Sequence, residues 1–212
     1  MKISIFGASG KTGTEFVRQS LSAGHHIKAL VREPVKLTLS DEKFTVVRGD
    51  VLDAAVVRVV VNASDVVISV LGSKPDTSPQ VLTVGTQNII SAMQQNHNPR
   101  LIVMSSYPMG GSPRSMAFLE QLNLPKDQQT AMQSMIDDKI GQETAVKNSG
   151  LNWTIIRPLM LTDGPLTGRY RTGENLDVKP GNQISHADVA DFILKNLEPQ
   201  SPWTDKIVTL AY

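Results

Sequence analysis

The chain has 212 residues, a formal net charge of +1 and no cysteine. Near-neutral charge offers no electrostatic reason to bind nucleic acid or an anionic membrane. Without cysteine, disulfides, thiolate metal sites and cysteine nucleophiles are excluded. The N-terminus lacks the pattern of a secretory signal, and no apolar run approaches the roughly 20 residues of a membrane span. We therefore expect a cytoplasmic protein without nucleic-acid or membrane partners, and a monomer is slightly favoured.

Short β-rich runs alternate with helical patterns along the chain. Several runs are almost continuously apolar, which is typical of parallel strands covered on both faces. The predicted strands cover residues 2–6, 26–31, 44–49, 65–72, 100–106 and 152–158, and a helix at 186–197 and a strand at 206–212 follow.

The stretches between strands show the 3.6-residue period of amphipathic helices. One predicted face holds Gly13, Phe16, Val17, Ser20 and Leu21, and another holds Val81, Val84, Gly85, Asn88, Ile89, Ala92 and Met93. The alternation predicts an α/β fold, a Rossmann-type doubly wound, mostly parallel sheet with helices on both faces. No linker or repeat divides the chain, so we expect a single domain over residues 1–212.

Two irregular stretches, 107–126 and 159–182, follow the fifth and sixth predicted strands. Doubly wound folds bind ligands at the carboxyl ends of their strands, and loops of this length are uncommon without a functional reason. We expect both to be substrate loops. Met109, Met116 and Phe118 either form an apolar lid over a flat ligand or pack onto the core.

The stretch GASGKTG at 7–13 directly follows the first predicted strand. Here Gly7 permits a tight turn, Gly10 lets a pyrophosphate approach the backbone, and Gly13 allows close packing of helix on sheet. The helix N-terminus adds unpaired N–H groups. A plain turn is the alternative, and a Walker A loop is excluded by the glycine spacing. The context favours a phosphate cradle formed by Gly7, Ser9, Gly10, Lys11, Thr12 and Gly13.

The end of the second strand indicates which nucleotide binds. Sites for NAD usually carry an acidic residue there to bind the ribose hydroxyls. This chain has Arg32 at that position and Lys36 four residues later. Cations there pair with a 2′-phosphate, so NADP(H) is favoured over NAD(H). Glu33 could instead reach a ribose, and Arg32 could be an ordinary surface arginine.

The ends of the third and fourth strands extend this site. Asp50 could accept a hydrogen bond from the adenine amino group, and Val51 could line the ring. Leu71 and Gly72 are predicted to line the crevice beside the first glycine. All four could also be ordinary strand-end residues.

A helix predicted at 130–148 carries charges on its apolar face. Its apolar arc is formed by Met132, Met135, Ile136, Ile140 and Val146. Lys139 and Glu143 fall inside this arc, whereas Asp137 and Asp138 are predicted to point away from it. The pair is either a structural ion pair or a pair facing a ligand cavity.

The glycine spacing GxxGxxG resembles that of extended and atypical short-chain dehydrogenases/reductases. That family typically has a Ser at the end of strand five and a Tyr four residues before an active-site Lys. Ser105 and Ser106 match the strand end, and Lys139 matches the lysine. Met135 stands where the Tyr would be, so the Tyr general acid is missing.

Lys139, Glu143 and the stretch SGLNWTIIRP, which ends at Pro158, are similar to the atypical, NmrA-like branch. Within it, the biliverdin IXβ reductase/flavin reductase group resembles this chain almost end to end. The matching stretches are IFGASGKTG, LVREP, GDVLDAA, SSYP, DGPLTGRY and ISHADVADFIL, of which GPLTG at 164–168 is the most distinctive.

The resemblance implies hydride transfer from NADPH to a planar acceptor such as a flavin or a linear tetrapyrrole. It places Ser106 near the nicotinamide, with Lys139 as the second catalytic residue and Ser105 and Pro158 beside the cofactor. Solvent can supply the proton, because a delocalised acceptor spreads the incoming charge. Met160 replaces an expected histidine, which favours flavin or quinone over tetrapyrrole. Ser106 could also simply cap a turn.

Rival functions follow from the same residues. A non-catalytic NADP(H) sensor of the NmrA-like type is favoured by the missing Tyr, whereas the strand-five Ser and the compact length favour the enzyme. A sugar-nucleotide epimerase fits less well, because the stretch after strand six leaves little room for a substrate domain. The four histidines lack metal-ligand spacing, so no metal site is predicted.

Overall fold

The computed structural model describes residues 1–34, 39–72, 80–96, 100–107 and 126–212, except for the side chains of 126–132. Its helices are α1 (Lys11–Ser22), α2 (Ala54–Val61), α3 (Val81–Gln95), α4 (Lys126–Lys147) and α5 (His186–Lys195). Its strands are β1 (Lys2–Phe6), β2 (His26–Val31), β3 (Phe44–Arg48), β4 (Val66–Ser69), β5 (Arg100–Met104), β6 (Asn152–Pro158), β7 (Met160–Thr162), β8 (Arg171–Gly173), β9 (Gln183–Ser185) and β10 (Lys206–Ala211). Among the described helices, none combines the length and the apolar character needed to cross a membrane.

The described strands form an eight-stranded sheet in the order β3-β2-β1-β4-β5-β6-β10-β8. All neighbouring pairs are parallel except β10 and β8, which are antiparallel. Strands β7 and β9 form a separate parallel pair. The strand order reverses between β1 and β4, and such a reversal opens a crevice at the carboxyl ends of the strands. The predicted Rossmann-type α/β fold is confirmed.

Two apolar clusters lie on opposite faces of this sheet because successive strand side chains point to opposite faces. Ile102 and Met104 join the cluster that contains Phe16 of α1 and Phe192 of α5. The alternate residues of the same strand, Leu101 and Val103, join the cluster formed with α2, α3 and α4. Each face of the sheet is thus covered by helices.

The structure differs from the sequence predictions mainly at element ends. Helix α4 begins at Lys126 rather than at residue 130, and the fourth strand ends at Ser69 rather than at residue 72. The stretch 159–182, predicted as irregular, contains β7 and β8. Both strands have only three residues, and their partners β9 and β10 lie farther along the chain. Periodicity within such short runs carries too little signal to reveal them.

Candidate functional site

The glycine turn between β1 and α1 is shaped by close backbone contacts. Gly7 has φ +95°, and a Cβ there would lie 2.6 Å from the carbonyl oxygen of Val70. A Cβ on Gly13 would collide with the carbonyl oxygen of Gly7. A Cβ on Gly10 would meet only that same oxygen, at 3.4 Å. Gly7 and Gly13 therefore serve the packing of the turn, whereas Gly10 leaves the backbone open to a ligand.

Gly10 also starts helix α1, where it is the N-cap in an extended conformation with no side chain to cap the helix. The first N–H groups of a helix have no intrahelical acceptor, and the helix dipole adds partial positive charge. Within the turn, the amide of Gly10 donates to the carbonyl of Gly7 at 3.1 Å, which holds its shape. The turn has the geometry of an anion cradle, so a dinucleotide pyrophosphate fits it.

A cavity of about 340 Å³ extends from this turn along the carboxyl edge of the sheet. It follows the ends of five adjacent strands, β3, β2, β1, β4 and β5, which at the usual strand spacing cover about 19 Å. Of the predicted cofactor residues, it is lined by Gly7, Ser9, Gly10, Lys11, Thr12, Gly13, Arg32, Asp50, Val51, Leu71 and Gly72. The structure thus brings together eleven residues that the sequence predicted from four separate motifs.

Arg32 and Asp50 mark one end of the cavity. Arg32 follows β2, is exposed and lines the cavity beside Glu33. One oxygen of Asp50 accepts the amide of Leu52 at 2.9 Å, which orients the carboxylate in a turn. Lys36 lies outside the described residues, as do Met109, Met116 and Phe118.

Val51 is held in place from behind by helix α3. Asn88 donates through Nδ2 to the Val51 carbonyl at 3.0 Å. A Cβ on Gly85 would lie 2.8 Å from a Val51 methyl group, so the helix needs glycine there. Val51 is consequently a fixed apolar wall at the cavity end that Arg32 and Asp50 also line.

His186 is a cavity residue that the sequence analysis placed only at the start of the last helix. Its Nδ1 lies 2.7 Å from Thr12 Oγ1, and its Nε2 lies 3.8 Å from a carboxylate oxygen of Asp163. Burial lowers the pKa of His186 below its usual value, although the charge of Asp163 acts in the opposite direction. Since 174 residues separate His186 from Thr12 along the chain, no local pattern could have revealed this contact.

Lys11 forms an ion pair at the same carboxyl edge of the sheet. Its Nζ lies 2.6 Å from Asp163, and both side chains are about two-thirds exposed. This hydrogen bond lowers the pKa of Asp163. Exposed ion pairs contribute little to stability, so Lys11 can exchange Asp163 for a phosphate at low cost.

Ser105, Ser106 and Pro158 lie at the adjacent carboxyl ends of β5 and β6. The Ser105 amide donates to the Ile156 carbonyl at 2.8 Å, and the Tyr107 amide donates to the Pro158 carbonyl at 3.0 Å. The two chains therefore continue side by side past the end of β5. Met104, just before Ser105, lines the cavity. Ser105, Ser106, Pro158 and Lys139 are absent from the lining found among the described residues.

Lys139 and Glu143 are both buried against the sheet, with 8% and 1% of their surfaces exposed. Arg157 donates from Nε and Nη2 to the two Glu143 oxygens, at 2.8 and 2.5 Å. Burial acts to raise the pKa of Glu143, but Arg157 outweighs it and the pKa is lowered. Ser105 adds to this lowering, although its hydroxyl lacks the geometry of a hydrogen bond. Glu143 thus forms a structural ion pair, with Arg157 and not with Lys139.

Burial lowers the pKa of Lys139 to about 8, with Glu143 and Asp138 partly opposing the shift. Among the described residues, no carboxylate lies within ion-pair distance of its Nζ. A buried amine with this pKa changes protonation near neutral pH, which is a frequent property of functional lysines.

Asp138 does not point away from the core as predicted. It is 4% exposed, and its carboxylate accepts the amides of Leu82 at 2.9 Å and Thr83 at 2.8 Å. Those amides belong to the first turn of α3, whose own N-cap residue, Gln80, makes no side-chain cap. Asp138 therefore caps the N-terminus of a neighbouring helix. A helical wheel could not show this, because the partner amides are 55 or more residues away in sequence.

The stretch 164–168 is fastened to helix α5 by Asp188. The carboxylate accepts the Thr167 amide at 2.9 Å, the Thr167 hydroxyl at 2.7 Å and the Gly168 amide at 2.8 Å. Gly168 has φ +65°, which favours glycine. The GPLTG stretch is therefore a rigid turn next to β7, whose Leu161 lines the cavity.

A parallel sheet reversing at a glycine turn, with a cavity running across its carboxyl edge, defines a Rossmann-type dinucleotide-binding protein. The comparison with known families agrees with this class. The chain belongs to the NAD(P)H-binding family, whose sequence profile matches residues 7–200. The predicted nicotinamide dinucleotide is thereby confirmed as NAD(P)H, and this family fits the predicted relationship to atypical, NmrA-like short-chain reductases.

The relatives of this chain include a plant protein and a fungal reductase. An uncharacterized chloroplastic protein of Arabidopsis thaliana is 31% identical over 182 residues, covering 79% of this chain and 61% of the relative. The chain thus spans less than two-thirds of that plant protein. The reductase pytE of Aspergillus terreus is 24% identical over 258 residues, covering 99% of this chain and 97% of the relative.

Solved structures share the fold at low identity. An anaerobilin reductase, ChuY of Escherichia coli O157:H7, superposes with a TM-score of 0.79 at 23% identity, covering 99% of this chain and 96% of its own. A short-chain dehydrogenase/reductase of Veillonella parvula, solved in complex with NADP, gives a TM-score of 0.78 at 19% identity, covering 100% and 94%.

Proposed function

We propose that this protein is an NADPH-dependent reductase that transfers hydride to a planar acceptor such as a flavin or a quinone. One observation carries the proposal: a single cavity runs from Arg32 at the end of β2, across the glycine turn, to Met104 at the end of β5. A ligand spanning it would meet a cation at one end and the Ser105–Ser106 strand end at the other.

Different residues of this chain bind the different parts of the cofactor. Arg32 pairs with the 2′-phosphate, with Lys36 as its predicted second cation. The amides of the turn and Lys11 bind the pyrophosphate, which gives Lys11 an anionic partner other than Asp163. Asp50 and Val51 contact the adenine. Bound NADPH supplies the hydride.

At the other end, Ser106 and Lys139 act on the acceptor and the nicotinamide ribose. Ser106 donates a hydrogen bond toward the acceptor, while solvent supplies the proton. Lys139 is four residues after Met135, so no tyrosine acid stands in the usual place. A lysine with a pKa of about 8 can hold a proton at Nζ near neutral pH. The stretches 107–126 and 159–182 are proposed to contact the acceptor, in one domain over 1–212.

A flavin or quinone is favoured over a linear tetrapyrrole because Met160 replaces the expected histidine. Met160 is 59% exposed and adds an apolar surface beside the GPLTG turn. A bilin nevertheless belongs in the acceptor panel, since the Escherichia coli fold neighbour is described as an anaerobilin reductase. Cytoplasmic location and a monomeric state stay predictions.

The test is NADPH oxidation followed by absorbance, with FMN, a quinone and a bilin as separate acceptors. Controls omit the acceptor or replace NADPH with NADH. If the protein is a reductase, we expect saturable, NADPH-preferring turnover with FMN or the quinone. This turnover should be lost in Lys139→Met and weakened in Ser106→Ala. Saturable turnover with the bilin alone would reassign the acceptor.

A non-catalytic NADP(H) sensor is the second candidate, favoured by Met135 in the place of the catalytic tyrosine. Met135 was predicted on the apolar arc of its helix but is 45% exposed, and its thioether has no proton to donate in place of the tyrosine. Tight NADPH binding by calorimetry, with no turnover on any of the three acceptors, would support the sensor and overturn the reductase.

A further inference from the structure

A buried ion pair joins helix α4 to strand β6 next to the proposed reactive end. Arg157 engages both oxygens of Glu143, and their side chains are 12% and 2% exposed. Two parallel N–H···O bonds of this kind fix the carboxylate in orientation as well as position. The Glu143 carboxylate is therefore committed to Arg157.

Lys139 lies one helical turn before Glu143 on the same face of α4. Four residues correspond to a rise of about 6 Å along a helix. Helix α4 connects two parallel neighbours, β5 and β6, and so runs back from the carboxyl edge of the sheet. Lys139 consequently lies nearer than Glu143 to the edge where the cavity runs. At four residues apart, Lys139 and Glu143 are at the spacing at which ion pairs normally form.

We propose that Arg157 is a positioning residue: by holding both oxygens of Glu143 it keeps that carboxylate from pairing with Lys139, and it leaves the Lys139 amine free of Glu143 on the turn of α4 that lies nearer the cofactor edge. This inference rests on the proposed function, because the reductase site is where a free amine would act. Arg157 touches neither the cofactor nor the acceptor and acts through Glu143.

The other charged groups near Lys139 are accounted for within the described residues. Asp138 is bound by the amides that begin α3, and Lys147 approaches Glu143 at 3.6 Å from the far side. Helix α3 carries no charged side chain, and the residue that follows β5, Ser105, is neutral. The one charged residue of β5, Arg100, lies at the opposite end of that strand, where it donates to Thr154 and Asn196. The pKa of about 8 at Lys139 is what burial without a direct carboxylate partner produces.

The direct test measures the pKa of Lys139 in the cofactor-free protein. Competitive acetylation across a pH series, read by mass spectrometry of the Lys139 peptide, reports the fraction of free amine. Arg157→Lys is the decisive variant, because it keeps the positive charge but can hold one carboxylate oxygen at a time. We expect the released oxygen to engage Lys139 and raise its pKa by about one unit.

A double-mutant cycle isolates the route through Glu143. Glu143→Gln alone should lower the pKa of Lys139, and Arg157→Lys should then have no further effect. Arg58→Lys, on the exposed face of α2, is the matched control and should change nothing. Thermal unfolding of each variant monitors folding, and if Arg157→Lys fails to fold, Glu143→Gln still tests whether the pKa falls.

An unchanged Lys139 pKa in folded Arg157→Lys, or the same shift with and without Glu143, would overturn the inference. Because labelling needs no turnover, these results are independent of the proposed reductase activity. If the pKa shifts as expected while no acceptor is reduced, the positioning role stands and the reductase fails. If activity is present, its pH profile in Arg157→Lys should shift with the amine, as a merely structural role would not require.

Discussion

The hydroxyl of Tyr212 donates a 2.6 Å hydrogen bond to the carboxylate of Asp188 in the first turn of α5. The same hydroxyl accepts the amide of Ser185 at 3.1 Å. Tyr212, just beyond β10, thus joins the end of β9 to the residue that fastens the GPLTG turn. This junction is the first place to test how the walls of the site are stabilised.

Tyr212→Phe should reduce the free energy of unfolding by about 1–3 kcal/mol, because it removes a donor from Asp188 and an acceptor from the Ser185 amide. Urea unfolding measures the loss. Tyr170→Phe is the matched control: its hydroxyl donates to Asp191 at 2.7 Å, but Asp191 keeps Lys195 as a partner at 2.7 Å. Equal losses in the two variants would contradict the special role of Tyr212.

Asp188 should make stability depend on pH in the acid range. Burial acts to raise the pKa of Asp188, but hydrogen bonds from Tyr212, Thr167 and Gly168 outweigh it and lower the pKa. The stabilisation is therefore complete above the unfolded pKa of about 3.9 and is lost as the pH falls through the lower folded pKa. The stability difference between the wild type and Asp188→Asn should be large at neutral pH and shrink below about pH 4. A difference that is constant across that range would contradict the assignment.

Asp138→Ala should destabilise the protein by about 1–3 kcal/mol, because the amides of Leu82 and Thr83 at the start of α3 lose the carboxylate that caps them. Hydrogen exchange should show the loosening first in the initial turn of α3. Asp137→Ala is the matched control, since Asp137 is exposed and bonds only to Gln133 among the described residues. A comparable loss in both would mean that helix propensity, and not the cap, sets the effect.

Gly13→Ala and Gly10→Ala should separate folding from cofactor binding. At Gly13 the new methyl meets the backbone oxygen of Gly7, which cannot move freely, so we expect a loss of about 2 kcal/mol or more. At Gly10 the nearest atom is 3.4 Å away, so stability should change by less than about 1 kcal/mol. NADPH affinity, measured by calorimetry, should nevertheless fall at least about tenfold in Gly10→Ala. Unimpaired binding in that variant would show that the pyrophosphate lies elsewhere.

Arg32→Ala should weaken NADPH binding by about 1.5–3 kcal/mol, the usual strength of a hydrogen bond to a charged group. NADH binding should be unchanged, because NADH lacks the 2′-phosphate. Arg58→Ala, on α2 away from the cavity, controls for the loss of one positive charge. Equal losses of NADPH and NADH affinity would place Arg32 at a part that the two cofactors share, such as the pyrophosphate, and no loss of either would remove it from the site.

Much of the fold could be predicted from the amino-acid sequence alone. The apolar runs and the 3.6-residue periods predicted the sheet and its helices because burial on one or both faces imposes those periods locally. The glycine turn was predictable for a related reason: the functions of Gly7 and Gly13 depend on neighbours within seventy residues and on a known strand–turn–helix order. The short strands β7 and β8 were not predicted, because three residues are too few to show the alternation of buried and exposed side chains.

The sequence by itself determined the class of fold, the glycine turn after β1 and the strand ends that line the cavity, because those features follow from local backbone preferences and from which edge parallel strands share. Only the tertiary structure decided the partners of the charged side chains. In the folded chain Glu143 pairs with Arg157, Asp138 caps the start of α3, and His186 lies within hydrogen-bond distance of Thr12. Coulomb and hydrogen-bond energies depend on distance in space, and in each case that distance is set by packing between elements far apart along the chain.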